Sequence, residues 1–404
     1  MKDKTIGFII SQENLKVFAS QNNQIIKKIA ENFKEVFVIN VLDLKLGNTA
    51  LSINTIDKNL FPENVLYKNI KTSKEFVAFF KNKDFIALQY LPKSPDYYRI
   101  YFLIKKMNIK NVLILNLGNF GNKQTIDWNL KFFFRSFKHF FDKGFYYLFR
   151  ILTILNIFPK IDLLFQSDTE VIKYINKGFS RKFENLFPFF KISYFRKIEK
   201  VNSIFFDYYI NNKTKEENTN TILYVDTPLN HPDRVRREGN LDPTLEKKYY
   251  EQLSNFLKGI SKIFKMDVII CLHPKVKNKN DFFKDFKISD QSTLEMIPKS
   301  EIIIFSLSSA ILGAVMYKKK IINIKSKLLG DYLNMINSKY VNALNLFSHD
   351  IDEELQTNKE TIVKEMSSAK LNYDDFILSK LNPDGEIPSY VKIVEKIKEN
   401  FFKS

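Results

Sequence analysis

Short apolar runs alternate with polar loops and amphipathic stretches along this chain, most regularly between residues 221 and 324. A run of about five apolar residues that leads into a polar loop and then a helix-like stretch is typical of a parallel strand buried on both faces. Four such runs end at Asp226, Leu272, Phe305 and Ile324. The pattern therefore predicts repeated strand–loop–helix units and a parallel sheet.

The first half of the chain shows the same alternation. Its strand candidates are residues 5–10, 36–41, 85–90, 111–117 and 161–168, and its helical stretches are residues 24–32, 73–81, 96–107 and 169–177. Strands and helices that alternate at this spacing favour a doubly wound parallel sheet. The predicted fold class is therefore α/β, with two Rossmann-like domains facing each other across a cleft.

A polar linker separates the two predicted domains. Residues 211–220 contain no apolar side chain, which is typical of an exposed connection. We therefore predict an N-terminal domain over residues 1–215, completed by residues 201–209, and a C-terminal domain over residues 216–404. A helix predicted at residues 390–401 ends the second domain, although a helix in that position often crosses back onto the first.

Composition narrows the possible chemistry. The 404 residues are 45% hydrophobic and 27% charged, which suits two or three packed domains. The single cysteine, Cys271, lies in a predicted strand, and one cysteine excludes a disulfide framework. Neither a dinucleotide-binding glycine motif nor a P-loop is present among the 11 glycines. The net charge of +18 indicates an anionic partner, such as a membrane surface, a phosphorylated substrate or a nucleic acid.

Polar side chains follow the predicted strands of the second half. His231 and His273 each precede a proline just after a strand, and Asp226 ends the first of these strands. Proline restricts the preceding residue to extended conformations, so each imidazole is expected on a stiff turn. Because parallel strands end at one edge of a sheet, we expect these three side chains to meet at a ligand-binding rim.

A serine-rich segment follows the third strand of this group. Ser306, Ser308 and Ser309 precede a predicted helix, where hydroxyls and free N–H groups bind anions, and Lys275 adds a positive charge beside His273. The serines would serve equally as an ordinary helix N-cap. No residues with metal-ligand spacing occur, so we predict chemistry without a tightly bound metal or other cofactor.

A basic, aromatic segment interrupts the first domain at about residues 128–158. Ten aromatic residues fall between positions 132 and 149, and basic residues recur at three- and four-residue steps. This spacing predicts an amphipathic helix that binds a membrane surface, although a core helix with exposed basic residues also fits. The candidate membrane-surface residues are Lys131, Phe133, Arg135, Phe137, Lys138 and Phe141.

The motifs of the second half resemble the donor site of bacterial sialyltransferases and Kdo transferases, over roughly residues 220–325. The residues that carry the resemblance are Asp226, His231-Pro-Asp233, Tyr249-Tyr250, His273-Pro-Lys275, Thr293-Leu-Glu295 and Ser308-Ser309. These families are GT-B glycosyltransferases that use CMP-activated 2-keto sugar acids. The resemblance implies that His273 contacts the donor phosphate and assists its departure, and that Ser308 and Ser309 hold that phosphate. The Asp-Asp-Gly or Glu-Asp-Gly motif that carries the family's base is missing from the first half of this chain.

We therefore predict an inverting, metal-independent glycosyltransferase of bacterial surface-glycan synthesis, in the assembly of capsule, O-antigen or lipooligosaccharide. The reaction would move a nonulosonate or Kdo-type acidic sugar from a CMP donor to a glycan or glycolipid acceptor. Asp226 is the first candidate for the base and Asp233 the second, although Asp226 would alternatively only cap the following turn. The predicted site comprises Asp226 and His273 as catalytic residues, His231, Asp233, Pro274, Lys275, Ser306, Ser308 and Ser309 as donor-binding residues, and Gln89, Tyr90, Asn116 and Asn119 as acceptor-side residues.

Other functions stay open. The same fold would serve a UDP- or GDP-sugar glycosyltransferase or a CDP-polyol phosphotransferase, in which histidines also act near phosphate. The net charge would fit a nucleic-acid-binding protein, but no recognition module accompanies it.

The sequence also predicts where the protein acts. No signal peptide precedes the first strand, and no apolar run reaches the ~18–20 residues that span a bilayer. We expect a cytoplasmic protein bound peripherally to the anionic surface of the inner membrane.

Overall fold

Two parallel β-sheets, one in each half of the chain, form the framework of the protein in a computed structural model. The residues that the structure describes are 4–12, 14–46, 60–91, 95–115, 148–149, 151–153, 155–168, 195–213, 219–230, 234–235, 238–239, 242–273, 282–353, 359–370, 373–382 and 384–402. They divide into two compact units. The first contains the described residues up to Asn202 and from Asp384 onward, and the second contains those from Ser203 to Asn382.

The first unit contains seven parallel strands in the order β3-β2-β1-β4-β5-β6-β7. The strands are β1 Lys4–Ile10, β2 Val36–Asn40, β3 Val65–Asn69, β4 Asp84–Gln89, β5 Lys110–Leu115, β6 Ile161–Gln166 and β7 Phe195–Lys200. The chain steps outward from β1 to β3 and then crosses to β4 on the other side of β1. This is the strand order of a Rossmann fold, with its topological switch point between β1 and β4.

Helices cover the first sheet because each has one apolar face. They are α1 Leu15–Gln21, α2 Asn23–Asn32, α3 Leu42–Leu46, α4 Ser73–Phe80 and α5 Tyr98–Lys106, with a 3-10 turn at Pro95–Tyr97. In α4, the Thr72 side chain accepts from the Glu75 amide, which starts the helix. In α2, Ile25, Ile26 and Ile29 form the buried stripe.

The second unit repeats the same topology with six parallel strands, in the order β10-β9-β8-β11-β12-β13. The strands are β8 Thr221–Val225, β9 Asp267–Cys271, β10 Lys287–Ile288, β11 Ile302–Phe305, β12 Lys320–Lys325 and β13 Ser348–Asp350. Its switch point lies between β8 and β11. The predicted fold class, two Rossmann-like α/β domains, is therefore confirmed.

The remaining helices follow the same logic of one buried face. They are α6 Ile204–Asn212, α7 Pro243–Phe264, α8 Thr293–Met296, α9 Ile311–Met316, α10 Gly330–Leu344, α11 Lys359–Lys370, α12 Tyr373–Phe376 and α13 Ser389–Phe401, with a 3-10 turn at Lys327–Leu329 and a π turn at Ile377–Leu381. The Asp242 side chain caps α7, which has Pro243 in its first turn. None of the helices in the described ranges is long and apolar enough to cross a membrane.

The division between the units differs from the predicted boundary near residue 215 and lies at residues 202–203. Helix α6 does not complete the first domain, because Phe205 and Phe206 are buried with Ile311 and Leu312 of α9 in the second unit's core. Residues 211 and 212 of the predicted linker are the last two residues of α6. The last helix, α13, belongs to the first unit, because its buried apolar face packs on α2.

Candidate functional site

The switch point of the second sheet brings three separate segments together. Strand β8 pairs with β9 on one side and with β11 on the other. The residues that follow these strands are Asp226, Leu272 with His273, and Ser306. Because adjacent strands lie about 4.8 Å apart, the three strand ends lie within roughly 10 Å of one another. A phosphate or diphosphate group is of a size to contact all three.

Asp226 joins the ends of β8 and β9. Its amide donates to the Cys271 carbonyl at 2.9 Å. Its Oδ2 atom lies 3.4 Å from the His273 amide nitrogen and accepts from it. The side chain is only 2% exposed. This contact ties the backbone of His273 to the end of β8, and His273 itself is partly exposed.

Burial changes the protonation of this carboxyl group. Desolvation raises the pKa of Asp226 from its usual value to about 7, although the amides of His273 and Thr227 act in the opposite direction. The Oδ1 atom is buried and has no hydrogen-bond partner among the described residues. Burial therefore favours the protonated form of Asp226 up to a higher pH than for an exposed aspartate.

Thr227 joins the ends of β8 and β11. Its hydroxyl donates to the Leu307 carbonyl at 2.5 Å and lies 3.2 Å from the Leu307 amide, which donates to it. The two residues are 80 positions apart in the chain. Thr227 was not predicted from the sequence. Through these two bonds, Thr227 fixes the backbone of Leu307, which lies between Ser306 and Ser308.

The serines occupy three different environments. Ser306 is fully buried, and its side chain lies near the Tyr249 hydroxyl. Its position therefore differs from the predicted one, because it lies beneath the rim rather than on it. Ser308 is partly buried and its Oγ accepts from the Ala310 amide at 3.3 Å, whereas Ser309 is exposed. Helix α9 starts at Ile311 without a side-chain cap, so neither serine is its N-cap.

Two buried tyrosines lie near Asp226. Tyr224 and Tyr249 are fully buried, and the Tyr249 hydroxyl lies near the Tyr224 hydroxyl and the Ser306 side chain. Burial raises the pKa of Tyr249, and the nearby carboxylate of Asp226 raises it further. Both effects keep the tyrosines neutral. Tyr224 and Tyr249 therefore add hydroxyl groups but no charge near Asp226.

Asn323 on β12 orders the backbone at the end of β11. Its Nδ2 donates to the Phe305 carbonyl at 3.3 Å and to Asn337 Oδ1 at 2.8 Å. Its Oδ1 accepts from the Ser348 hydroxyl. Buried amides paired in this way fix the positions of carbonyl groups. A lone asparagine in the apolar run of residues 320–324 was the only signal for it in the sequence.

Arg234 anchors the segment after β8. Its side chain is 6% exposed, its Nε lies 3.3 Å from Glu238 Oε2, and it donates to the Leu229 carbonyl at 3.2 Å. Glu238 also accepts from the Tyr332 amide on α10. Gly330 is required beside this ion pair, because its φ is +79° and a Cβ atom would collide with the Glu238 carboxylate. Arg234 thus links the end of the β8 segment to α10 through Glu238.

The other predicted residues lie either in the first unit or outside the residues that the structure describes. Gln89 ends β4 and is 5% exposed, and Tyr90 beside it is partly exposed. The following predicted residues lie outside those that the structure describes: Asn116, Asn119, Lys131, Phe133, Arg135, Phe137, Lys138, Phe141, His231, Asp233, Pro274 and Lys275. Within the described residues, no group of three or more potential metal ligands occurs.

Comparison with known proteins identifies the fold. No family model matches the sequence, and no curated protein matches it either. Among solved structures, the wall teichoic acid polymerase TagF is similar with a TM-score of 0.52 at 14% identity, over 98% of this chain and 90% of TagF. UGT2 of Phytolacca americana, complexed with UDP-2-fluoro-glucose and pterostilbene, is similar with a TM-score of 0.53 at 11% identity, over 99% of this chain and all of UGT2.

A third similar structure is that of an epimerase. The UDP-GlcNAc 2-epimerase of Methanocaldococcus jannaschii has a TM-score of 0.50 at 15% identity, over 98% of this chain and all of the epimerase. At such identities the similarity establishes the fold alone. The chain shares the two-domain GT-B fold of these proteins.

Proposed function

We propose that this protein is an inverting, metal-independent glycosyltransferase of bacterial surface-glycan synthesis that uses a CMP-linked nonulosonate or Kdo-type acidic sugar. One observation carries the proposal. The switch point of the second sheet joins Asp226, His273 and the turn with Ser308 and Ser309, and ligands of open α/β sheets bind at such points. The second unit is therefore the donor domain of the proposal.

His273 and the serine turn would contact the donor phosphate. The His273 side chain is partly exposed and stands on a backbone fixed by Asp226. Across β8, Ser309 presents an exposed hydroxyl. In the proposed reaction the acceptor oxygen attacks the anomeric carbon, the bond to the phosphate oxygen breaks, and its electron pair stays on CMP. Hydrogen bonds from His273 and Ser309 stabilise that developing charge.

The proton of the acceptor hydroxyl requires a base, and burial distinguishes the two candidates. The free Oδ1 of Asp226 is enclosed by protein, so we assign Asp226 to positioning His273 rather than to direct contact with the acceptor. Asp233, which ends the His231-Pro-Asp233 sequence and lies outside the described residues, is the candidate for the base. The acceptor would be a lipid-linked glycan at the cytoplasmic face of the inner membrane, with Gln89 and Tyr90 on its side of the reaction.

A second candidate function is a CDP-polyol phosphotransferase. The observation that favours it is the similarity in fold to TagF, including a TagF H444N variant soaked with CDPG, with a TM-score of 0.51. In this reaction the acceptor oxygen attacks the polyol-bearing phosphorus. The phosphoanhydride bond breaks, and CMP again leaves with the electron pair.

A donor panel separates the two candidates. The purified protein is incubated with an acceptor glycan and with CMP-linked acidic sugars, CDP-polyols, or UDP- and GDP-sugars, and the released nucleotide and product mass are measured. We expect CMP release and a product that gains a sugar acid without phosphorus. A product that gains a polyol phosphate assigns the second function. UDP or GDP release, or no transfer from any donor, overturns the proposal.

A further inference from the structure

Helix α5 of the first unit exposes a mixed apolar and basic stripe. Arg99, Phe102 and Lys106 are exposed at steps of three and four residues, and the Phe102 side chain is 52% exposed. The opposite face of the helix, with Ile100 and Tyr101, is buried in the core. A large aromatic side chain left in solvent between two cations is not explained by packing within this unit.

A second exposed apolar strip runs along residues 148–157. Residues 148–149 and 151–153 are helical, with Phe149 and Thr153 buried. On the other side, Leu148 is 40% exposed, Ile151 38% and Leu155 63%. Ile157, in the turn that follows, is 43% exposed. The helical stretch therefore uses one face for the core and leaves an aliphatic face in solvent.

The two strips lie side by side. The Phe149 ring is 4.6 Å from the Tyr101 ring, and the Phe158 ring is 5.1 Å from the Tyr98 ring. Lys105 Nζ donates to Asn156 Oδ1 at 2.7 Å. Phe102 is one helical turn from Tyr98, so it continues the aliphatic strip. We name this surface the α5 face, and its members are Phe102, Leu148, Ile151, Leu155 and Ile157.

Charge identifies the kind of partner that fits the α5 face. The sequence has no acidic residue at positions 97–115 or 143–161, whereas Arg99, Lys105 and Lys106 lie on α5 itself. The nearest acidic residue before α5, Asp96, is paired with Lys45 at 3.5 Å. An aliphatic and aromatic patch whose two segments carry basic residues and no acidic ones matches the interface of an anionic bilayer. A protein partner of mixed charge would have no positions here for its basic groups.

We propose that the α5 face docks the protein onto an anionic lipid bilayer, with the apolar side chains entering the interface and Arg99, Lys105 and Lys106 contacting lipid headgroup phosphates. The proposal is independent of the transfer reaction, because it concerns binding to lipid without donor or acceptor. It also rests on residues other than those at positions 131–141 that the sequence singled out.

Vesicle co-sedimentation tests the α5 face directly. The full chain is mixed with phosphatidylcholine vesicles that contain or lack phosphatidylglycerol, and the bound fraction is measured. We expect binding only with the anionic lipid. The triple variant Phe102→Ser/Ile151→Ser/Leu155→Ser should bind at least about tenfold more weakly. The double variant Arg99→Gln/Lys106→Gln should bind about 30-fold more weakly, since each basic residue near an anionic surface contributes about 1 kcal/mol.

A matched control removes exposed apolar side chains elsewhere. Leu245, Met335 and Leu378 of the second unit are 39%, 36% and 62% exposed, and their triple serine variant should bind vesicles like the wild type. Circular dichroism identifies any variant that fails to fold, and the double charge variant changes only exposed side chains. Unchanged vesicle binding in both α5-face variants overturns the proposal. So does a loss confined to Phe133→Ser/Phe137→Ser/Phe141→Ser, or a wild-type dimer that the α5-face triple variant converts to a monomer.

Discussion

The two units have the same strand order, yet their switch points are filled differently. In the first unit, β1 and β4 are followed by Ser11 and Tyr90. The Tyr90 ring packs 5.5 Å from the Phe18 ring and 6.1 Å from the Phe8 ring. In the second unit, β8 and β11 are followed by Asp226 and Ser306, whose side chains are buried, and the hydroxyl groups of Tyr224 and Tyr249 are buried as well.

This difference shows that the strand order creates the crevice, whereas the side chains at the strand ends determine its chemistry. Crossing from strand 1 to strand 4 opens a crevice in both sheets. In the first sheet Tyr90, which follows β4, packs on Phe8 and Phe18. In the second sheet, Asp226 and Thr227 tie the end of β8 to β9 and β11. We therefore expect substitutions at the second crevice to change donor binding and catalysis, and substitutions at the first to leave the donor KM unchanged.

The largest expected effect is at His273. Replacing it with alanine removes the donor to the leaving phosphate, and we expect kcat to fall by about 10²–10⁴. His273→Gln keeps a hydrogen-bond donor and should retain more activity than the alanine variant. Steady-state kinetics with the best donor of the panel measure both. A kcat within twofold of wild type in His273→Ala would remove His273 from the mechanism.

The next effect is a pH dependence of stability set by Asp226. Its pKa in the folded protein, about 7, exceeds the value near 4 of the unfolded chain, so the folded state binds the proton more tightly. The contribution of this group is most favourable at about pH 4, decreases as the pH rises from 4 to 7, and is least favourable above 7. Asp226→Asn removes this dependence. The free energy of unfolding of the variant minus that of the wild type should therefore increase by about 2–4 kcal/mol as the pH rises from 4 to 8. Urea unfolding at the two pH values measures the gain, and an equal pH dependence in both proteins would contradict the account.

A smaller effect compares the polar links at the two crevices. Thr227→Val leaves the Leu307 amide and carbonyl without their partner, and we expect it to cost about 1–3 kcal/mol and to raise the donor KM. Ser11→Ala removes one partly buried contact, in which the Tyr97 hydroxyl donates to Ser11 Oγ at 3.0 Å, and should cost about 0.5–1.5 kcal/mol with no change in donor KM. Equal effects on donor KM would show that the two crevices do not differ in function.

The smallest effect is expected for Tyr90→Phe. The ring and its packing against Phe8 and Phe18 remain, so we expect stability within about 0.5 kcal/mol of wild type and an unchanged donor KM. If the hydroxyl contacts the acceptor, the acceptor KM alone rises. A change in donor KM would place part of the donor site in the first unit.

The central strands of both sheets could be predicted from the sequence, because strands buried on both faces are uninterrupted apolar runs. The missed strands were β3, β7, β10 and β13. Strand β7 has the sequence Phe-Arg-Lys-Ile-Glu-Lys and lies at the edge of its sheet, where charged side chains face solvent. An edge strand of this composition has no apolar run to detect.

The site was predictable where it depends on strand ends and not where it depends on strand order. Asp226 and His273 were placed at one rim because parallel strands end at the same edge. The bond from Thr227 to Leu307 requires that β8 and β11 be neighbours, which no local pattern specifies. Ser306 was predicted to lie on the rim but is buried. A strand pattern does not show in which direction the side chain after the end of the strand points. The apolar face of α13 predicted that this helix packs against a hydrophobic core, but it did not indicate which unit's core.

Hydrogen–deuterium exchange of the full chain with and without CMP locates nucleotide binding without requiring turnover. If the donor site lies at the switch point of the second sheet, exchange in the presence of CMP should slow at residues 226–230, 272–273 and 306–310 and should not change at residues 11–12 and 89–91. Protection confined to the first unit's crevice, or absent from both crevices at saturating CMP, would contradict the assignment of the donor site.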